Sequence, residues 1–113
     1  MASPIRTTSY TITGNGAVTP PIPFQATTFA GALPPTFLAF VTGTVTYNVE
    51  VTGDDINSPG YNPVTGNWMP FTNRTGLTAS APGTLGAVVK AVRAHITAGT
   101  GSLLFQFIQQ TPD

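Results

Sequence analysis

Alternation between apolar and polar residues is the dominant pattern of this sequence, and it indicates β-strands. In segment 44–51, TVTYNVEV, every second residue is apolar, so one face of a strand is buried and the other is polar. The preceding stretch, Phe37 to Val41, is apolar at consecutive positions, which is typical of a central strand. A Thr-Gly pair at 42–43 lies between the two stretches and predicts a tight hairpin.

The first part of the chain predicts an edge strand followed by an extended segment. Tyr10 and Ile12 alternate with threonines, and a GNG turn at 14–16 ends this pattern. The Pro-rich segment 17–35 cannot form a central strand, because each of its five prolines removes a backbone donor. We therefore expect extended chain that wraps the core. Its expected inward anchors are Ile22, Phe24, Phe29 and Leu33.

The closing segment 87–110 joins two apolar stretches through a glycine-rich turn. Val88, Val92 and His95 lie at helical spacing, but β-branched residues and the following glycines favour a strand. The hexapeptide TAGTGS at 97–102 differs from a phosphate-binding loop, because neither the lysine nor the helix of that motif follows it. We predict that its glycines turn a closing hairpin, whose second strand places Phe105 in the core.

These elements together predict an all-β protein with about seven or eight short strands and no significant helix. The fold class that fits is an antiparallel β-sandwich, either jelly-roll or Ig-like. A length of 113 residues allows one domain, 1–113. Segment 52–67 shows no periodicity, and a loop of this length in a compact domain is usually functional or mobile.

Composition changes the picture at the surface. Charged residues make up only 7% of the chain and the formal net charge is zero, which favours association with other molecules. Disorder is not expected despite 12 Gly and 11 Pro, because 41% of the residues are hydrophobic. The four basic residues are scattered and matched by four acidic ones, so we expect no nucleic-acid partner. We also expect no signal peptide and no membrane partner, because no long apolar run occurs.

No residue pattern indicates catalysis, a metal site or a cofactor, and we expect that the protein is not an enzyme. His95 is the only histidine, no cysteine is present, and no GxSxG motif occurs. Asp54 and Asp55 are adjacent, but the distal glutamate of a calcium loop is missing. We interpret them as an exposed Asx-type turn, and a weakly bound ion remains the alternative.

Residues for contact with a partner are the remaining candidates. Trp68 is predicted to fill the core, with an anchor in an interface as the alternative. Arg93 and His95 are expected to share a partly exposed polar stripe. The candidate partner interface consists of Arg6, Asp54, Asp55, Tyr61, Trp68, Arg74, Arg93 and His95.

Three segments resemble a known group of proteins. These are VKAVRAHITAGTGSLLFQFIQQ at 89–110, TGTVTYNVEVT at 42–52 and ITGNGAVTPPIP at 12–23. Together they resemble small structural proteins of tailed bacteriophages, in which an A-[VI]-R strand is followed by I-x-x-G-T-G-S and another apolar strand. The long loop GDDINSPGYNPVTGN has no fixed counterpart in that pattern.

The resemblance implies a virion component, most simply a head decoration or cement protein made in the bacterial cytoplasm. Its expected partners are the major capsid protein and copies of itself, as a homo-oligomer (dimer or trimer). The alternative is a receptor- or carbohydrate-binding head module of a tail fibre or spike. Tyr61 and Trp68, in or beside the long loop, are the aromatic residues that such a module would use.

Overall fold

The computed structural model describes residues 5–24, 35–62, 66–71, 73–84 and 90–110, with only the backbone at positions 5 and 110. These ranges contain eight strands and no helix. No helix that could span a membrane therefore occurs among the described residues. The strands are β1 (Ile5–Thr13), β2 (Ile22–Pro23), β3 (Thr36–Thr42), β4 (Val45–Thr52), β5 (Trp68–Pro70), β6 (Ala81–Thr84), β7 (Ala91–Gly99) and β8 (Ser102–Gln110).

The strands form two antiparallel sheets of four that face each other. The first sheet has the order β1-β8-β3-β6 and the second has the order β2-β7-β4-β5. Successive strands alternate between the sheets except at β4 and β5, and the first strand pairs with the last. This interleaved order is that of a jelly roll, so the predicted all-β sandwich is confirmed.

The core lies between the sheets and consists of the apolar residues that alternate along each long strand. Phe37 and Phe105 stack across neighbouring strands with ring centroids 5.9 Å apart, which confirms the predicted position of Phe105. Tyr47 is fully buried, and its hydroxyl donates a hydrogen bond to the Ala79 carbonyl at 2.9 Å. Burial raises the pKa of Tyr47, although the nearby Arg74 opposes this shift.

Two of the sequence-based predictions about pairing are wrong. β3 and β4 do not form a hairpin around 42–43, and β7 and β8 do not form one around 100–101. Each pair instead turns a corner and continues in the opposite sheet. The physical reason is that both strands of each pair have a buried face, and these faces can meet across the core as well as side by side.

The glycines of the two corners are required by their close packing. The N–H of Gly101 donates to the Thr44 carbonyl at 2.9 Å, and the N–H of Gly14 donates to the Gly101 carbonyl at 3.1 Å. A Cβ at Gly99 would overlap the Thr44 carbonyl oxygen, and Gly99 also has a φ of 103°. Only glycine fits this backbone, so TAGTGS is a corner that holds three chain segments together.

The structure describes part of the proline-rich segment and most of the long loop. Ile22 is buried and Phe24 is partly buried, as predicted, whereas Phe29 and Leu33 lie outside the described residues. β2 is the edge of the second sheet and not a central strand. The long loop runs from the end of β4 to the start of β5, with 63–65 outside the described residues.

Candidate functional site

An ionic cluster occupies the outer face of the second sheet. Glu50 in β4 lies opposite Arg93 in β7, and His95 follows two residues later on the same face. The Arg93 Nε donates to Glu50 Oε1 at 2.8 Å, and the His95 Nδ1 donates to Glu50 Oε2 at 2.9 Å. Both carboxylate oxygens therefore have a partner. These three residues are referred to below as the ionic cluster.

Glu50 is the centre of this cluster and is only 7% exposed. Burial alone would raise the pKa of its carboxyl group, because burial disfavours the charged form. The hydrogen bonds from His95 and Arg93 outweigh burial, so the pKa of Glu50 lies below its ordinary value of 4.5. The carboxylate is consequently a fixed negative charge that ties β4 to β7.

Trp68 connects the ionic cluster to the long loop. The Arg93 guanidinium carbon lies 4.3 Å from the centroid of the Trp68 ring, a cation–π arrangement. The indole Nε1 of Trp68 donates to the Tyr61 hydroxyl at 2.9 Å. Trp68 is half-buried on the outer face and does not belong to the core, so its predicted core position is wrong. The indole ring of Trp68 packs against Arg93 and Tyr61 instead of against core side chains.

Hydrogen bonds between Asp54 and Asn67 join the two ends of the long loop, and this pair is referred to below as the clasp. The backbone N–H of Asn67 donates to Asp54 Oδ2 at 2.8 Å, and the side-chain amide of Asn67 donates to Oδ1 at 3.2 Å. These two bonds hold the pKa of Asp54 below its ordinary value, and the bond from the backbone N–H is the larger cause. Asp55 accepts the N–H of Asn57 at 3.0 Å, which confirms the predicted Asx-type turn.

The clasp and the turn border an open polar cleft of about 410 Å³, referred to below as the loop cleft. Its size falls in the range of about 300–1,000 Å³ that is usual for small-molecule sites. Among its described residues it is lined by two carboxylates, two side-chain amides, a serine hydroxyl and a tyrosine, which suits a polyhydroxylated ligand. The described residues that line it are Asp54, Asp55, Ser58, Gly60, Tyr61, Asn62, Gly66 and Asn67.

The outer face of the first sheet has a different chemistry. Its outward positions alternate with the buried residues of β1, β8, β3 and β6, and none of them is charged. We call this surface the uncharged face. It consists of Thr7, Ser9, Thr11, Thr13, Thr36, Leu38, Phe40, Thr42, Pro82, Thr84, Ser102, Leu104, Gln106 and Ile108. Threonine and serine cover its rim, and four large apolar side chains lie on its two central strands.

Six of the eight predicted partner residues lie on connected parts of the molecule. Arg93, His95 and Trp68 occupy the outer face of the second sheet, and Asp54, Asp55 and Tyr61 line the adjoining loop cleft. The predicted polar stripe of Arg93 and His95 is thereby confirmed.

Two predicted residues do not join this group. Arg6 lies on β1 of the other sheet, opposite Gln109. Arg74 lies in the connection from β5 to β6, and its guanidinium stands over the Phe37 ring at 5.4 Å.

Glu50 is the central residue that the sequence interpretation missed. Its position was visible as the one acidic residue on the polar side of the alternating segment 44–51. Its partners depend on the register of β4 against β7, which alternation does not specify. The described residues contain no group of three side chains suited to hold a metal ion.

Comparisons of the chain with protein-family models, with curated proteins and with solved structures found no match.

Proposed function

We propose that this protein is a structural component of a tailed-bacteriophage virion, a head decoration or cement protein that binds the outer surface of the major capsid protein. The observation that carries the proposal is the uncharged face. The resemblance of segments 12–23, 42–52 and 89–110 to small phage structural proteins supports it as well. Jelly rolls are common in viral capsid proteins, which supports the proposal by analogy of fold.

The uncharged face has the composition of a surface that binds another protein. Phe40 is 45% exposed and lies beside Leu104 on the neighbouring strand. A central apolar patch inside a polar rim is the usual anatomy of such interfaces. No charge has to be removed from water when this face is covered, so burial of its apolar area is not offset by the desolvation of ions. A large flat contact of this kind suits a protein that braces a lattice.

The test compares the attachment of two charge-introducing variants to particles of the phage that encodes the chain. Phe40→Asp places a carboxylate in the centre of the uncharged face. Met69→Asp places one on β5 of the second sheet, where the replaced side chain is 63% exposed. We expect the Phe40 variant to lose at least about tenfold in copies per particle, because a buried unpaired charge costs several kcal/mol. The Met69 variant should attach like the wild type.

Quantitative mass spectrometry of purified particles provides the readout, and circular dichroism checks that both variants are folded. Wild-type protein at fewer than a handful of copies per particle would overturn the decoration proposal. Equal attachment of the two variants would show that the uncharged face is not the contact.

A second candidate function is recognition of a carbohydrate by the loop cleft, as in the head of a tail fibre or spike. The observation that favours it is the convergence of Asp54, Asn67 and Tyr61 on one cleft beside Trp68. Carboxylate and amide groups can pair with neighbouring sugar hydroxyls, and a few polar groups placed in this way fix the orientation of a ligand.

A glycan array distinguishes the two candidates, because a decoration protein needs no sugar. If the second candidate is correct, the wild type binds a defined set of glycans and Tyr61→Ala weakens that binding at least about tenfold. Phe40→Asp serves as the control and should bind as the wild type does. A wild-type protein that binds no glycan rules this candidate out.

A further inference from the structure

The four sheet edges of the molecule are unequal. β2, β5 and β6 have two, three and four residues, and each contains a proline, namely Pro23, Pro70 and Pro82. Short length and proline are the features by which proteins prevent an edge from pairing with another chain. β1 is the fourth edge, and it has nine residues, IRTTSYTIT, without a proline. Among the described residues, β1 is therefore the one sheet edge that neither short length nor proline protects from pairing.

The hydrogen-bond pattern shows which backbone groups of β1 point outward. Gly14 donates its N–H to Gly101, directly beyond the pair Thr13–Ser102. Hydrogen-bonded pairs alternate along an antiparallel ladder, so the even-numbered residues of β1 bond to β8. The odd-numbered Thr7, Ser9 and Thr11 therefore direct their N–H and C=O groups away from the sheet. Among the described residues, β1 pairs only with β8, and no backbone bond from a turn or loop reaches Thr7, Ser9 or Thr11.

We infer that β1 pairs with β1 of a second copy of this chain, antiparallel and centred on Ser9. In this register each Thr7 faces Thr11 of the partner subunit, and each Ser9 faces Ser9 of the partner subunit. The three odd-numbered positions supply about six hydrogen bonds between the copies. The two first sheets become one sheet of eight strands. This inference goes beyond the proposed function and does not depend on it.

The charges of the molecule favour a second copy as the occupant of this edge. Arg6 is the only charged residue of β1, and in this register it faces Ile12 of the partner subunit. The two Arg6 side chains are then about 20 Å apart, because six residues of strand separate them. Cross-strand pairs share a face, so the two uncharged faces become continuous and no like charges are brought together.

A contact along one strand is smaller than the roughly 800 Å² per partner of a standard interface. We therefore expect a reversible dimer. Sedimentation analysis of the wild type between about 10 μM and 1 mM should show the mass rising from 11.7 kDa towards twice that value. A wild type that remains monomeric throughout, or that forms a trimer, overturns the inference.

The variant Ser9→Pro tests whether the free edge carries the contact. The N–H that it removes points away from β8, so the ladder within the monomer stays complete. We expect a folded monomer at every concentration. Retention of the dimer by this variant would contradict the inference.

Cysteine cross-linking tests the register and keeps the inference falsifiable even if Ser9→Pro fails to fold. The chain has no cysteine, so Ser9→Cys introduces a single thiol. Directly opposed residues have Cα atoms about 5.5 Å apart, which a disulfide can span. Thr7→Cys is the matched control. Thr7 faces Thr11 of the partner subunit, so the two introduced thiols are four residues apart along the strand, about 14 Å.

Mild oxidation should convert Ser9→Cys to a covalent dimer at least about tenfold faster than Thr7→Cys. Equal rates for the two variants would overturn the proposed register. If β1 instead receives a strand of the capsid protein, the free protein stays monomeric and neither variant cross-links to itself. That result would also overturn the inference.

Discussion

At the scale of single residues, Gly99 is a position where the backbone tolerates only glycine. Its φ of 103° is disfavoured for every residue with a Cβ, and a Cβ would also overlap the Thr44 carbonyl. Thr44 belongs to the other corner, whose hydrogen bond to Gly101 ties the two turns together. Strain at this position therefore acts on both corners at once.

The variant Gly99→Ala should lower the free energy of unfolding by at least about 2 kcal/mol. Gly60→Ala is the matched control, because Gly60 has an ordinary φ and nothing lies within 4 Å of the added methyl group. That variant should change stability by less than about 0.5 kcal/mol. Urea unfolding followed by Trp68 fluorescence measures both. Equal effects of the two substitutions would contradict the packing of the corners described above.

At the scale of elements, the ionic cluster fixes β4 against β7. Glu50 on β4 accepts hydrogen bonds from two residues of β7 that are two positions apart. A slip of the strands by one residue would turn Arg93 and His95 to the other face and leave the buried carboxylate without a partner. The pairing is thus specified by charge as well as by the apolar pattern.

Replacement of Glu50 by glutamine should change how stability depends on pH. The folded-state pKa of Glu50 lies below its ordinary value of 4.5, so the folded protein binds this proton less readily than the unfolded chain. The stability that Glu50 contributes is complete above its ordinary pKa of 4.5 and is lost as the pH falls from there through the lower folded-state pKa. The wild type should therefore lose more free energy of unfolding than Glu50→Gln between about pH 6 and pH 3.

At neutral pH the same variant should be less stable than the wild type by about 1–3 kcal/mol, since Arg93 loses its carboxylate. Thermal or urea unfolding at several pH values measures both effects. The lowered pKa of Asp54 contributes equally to the two proteins and cancels in their difference. Parallel stability curves for wild type and variant would contradict this role for Glu50.

The elements themselves could be predicted from the sequence, but their neighbours could not. Alternation at 44–51 identifies which side chains of β4 are buried, and the prolines of 17–35 exclude a central strand. The same patterns are compatible with a hairpin or with a corner, because both bury one face of each strand. The corners at 43 and 100, the contact of Glu50 with β7 and the outer position of Trp68 all depend on which strands become neighbours.

At the scale of the whole molecule, the fold is built from contacts between distant parts of the chain. β1 pairs with β8 along nine residues, so positions 5 and 110 meet. β7 lies between β2 and β4, and both of these neighbours are far from β7 along the sequence. Such pairing requires large loops to close before any contact stabilises the chain, and this slows folding.

The wild-type protein should therefore refold no faster than the millisecond-to-second range that is typical of all-β domains, roughly 1–1,000 ms. Trp68 is the only tryptophan, and its contacts with Arg93 and Tyr61 form only in the folded chain, so its fluorescence reports the process. Stopped-flow dilution from urea is the measurement. A main phase completed within microseconds would contradict the dominance of long-range pairing.

The prolines at three of the four sheet edges set a limit on growth. A β-protein with two open edges can add copies at both ends and extend into a filament, whereas one open edge allows a single addition. Pro23, Pro70 and Pro82 leave one such edge in the part of the chain that the structure describes, so any sheet that grows through it closes after one step. A chain with no net charge to keep its copies apart can therefore be concentrated on a surface without polymerising.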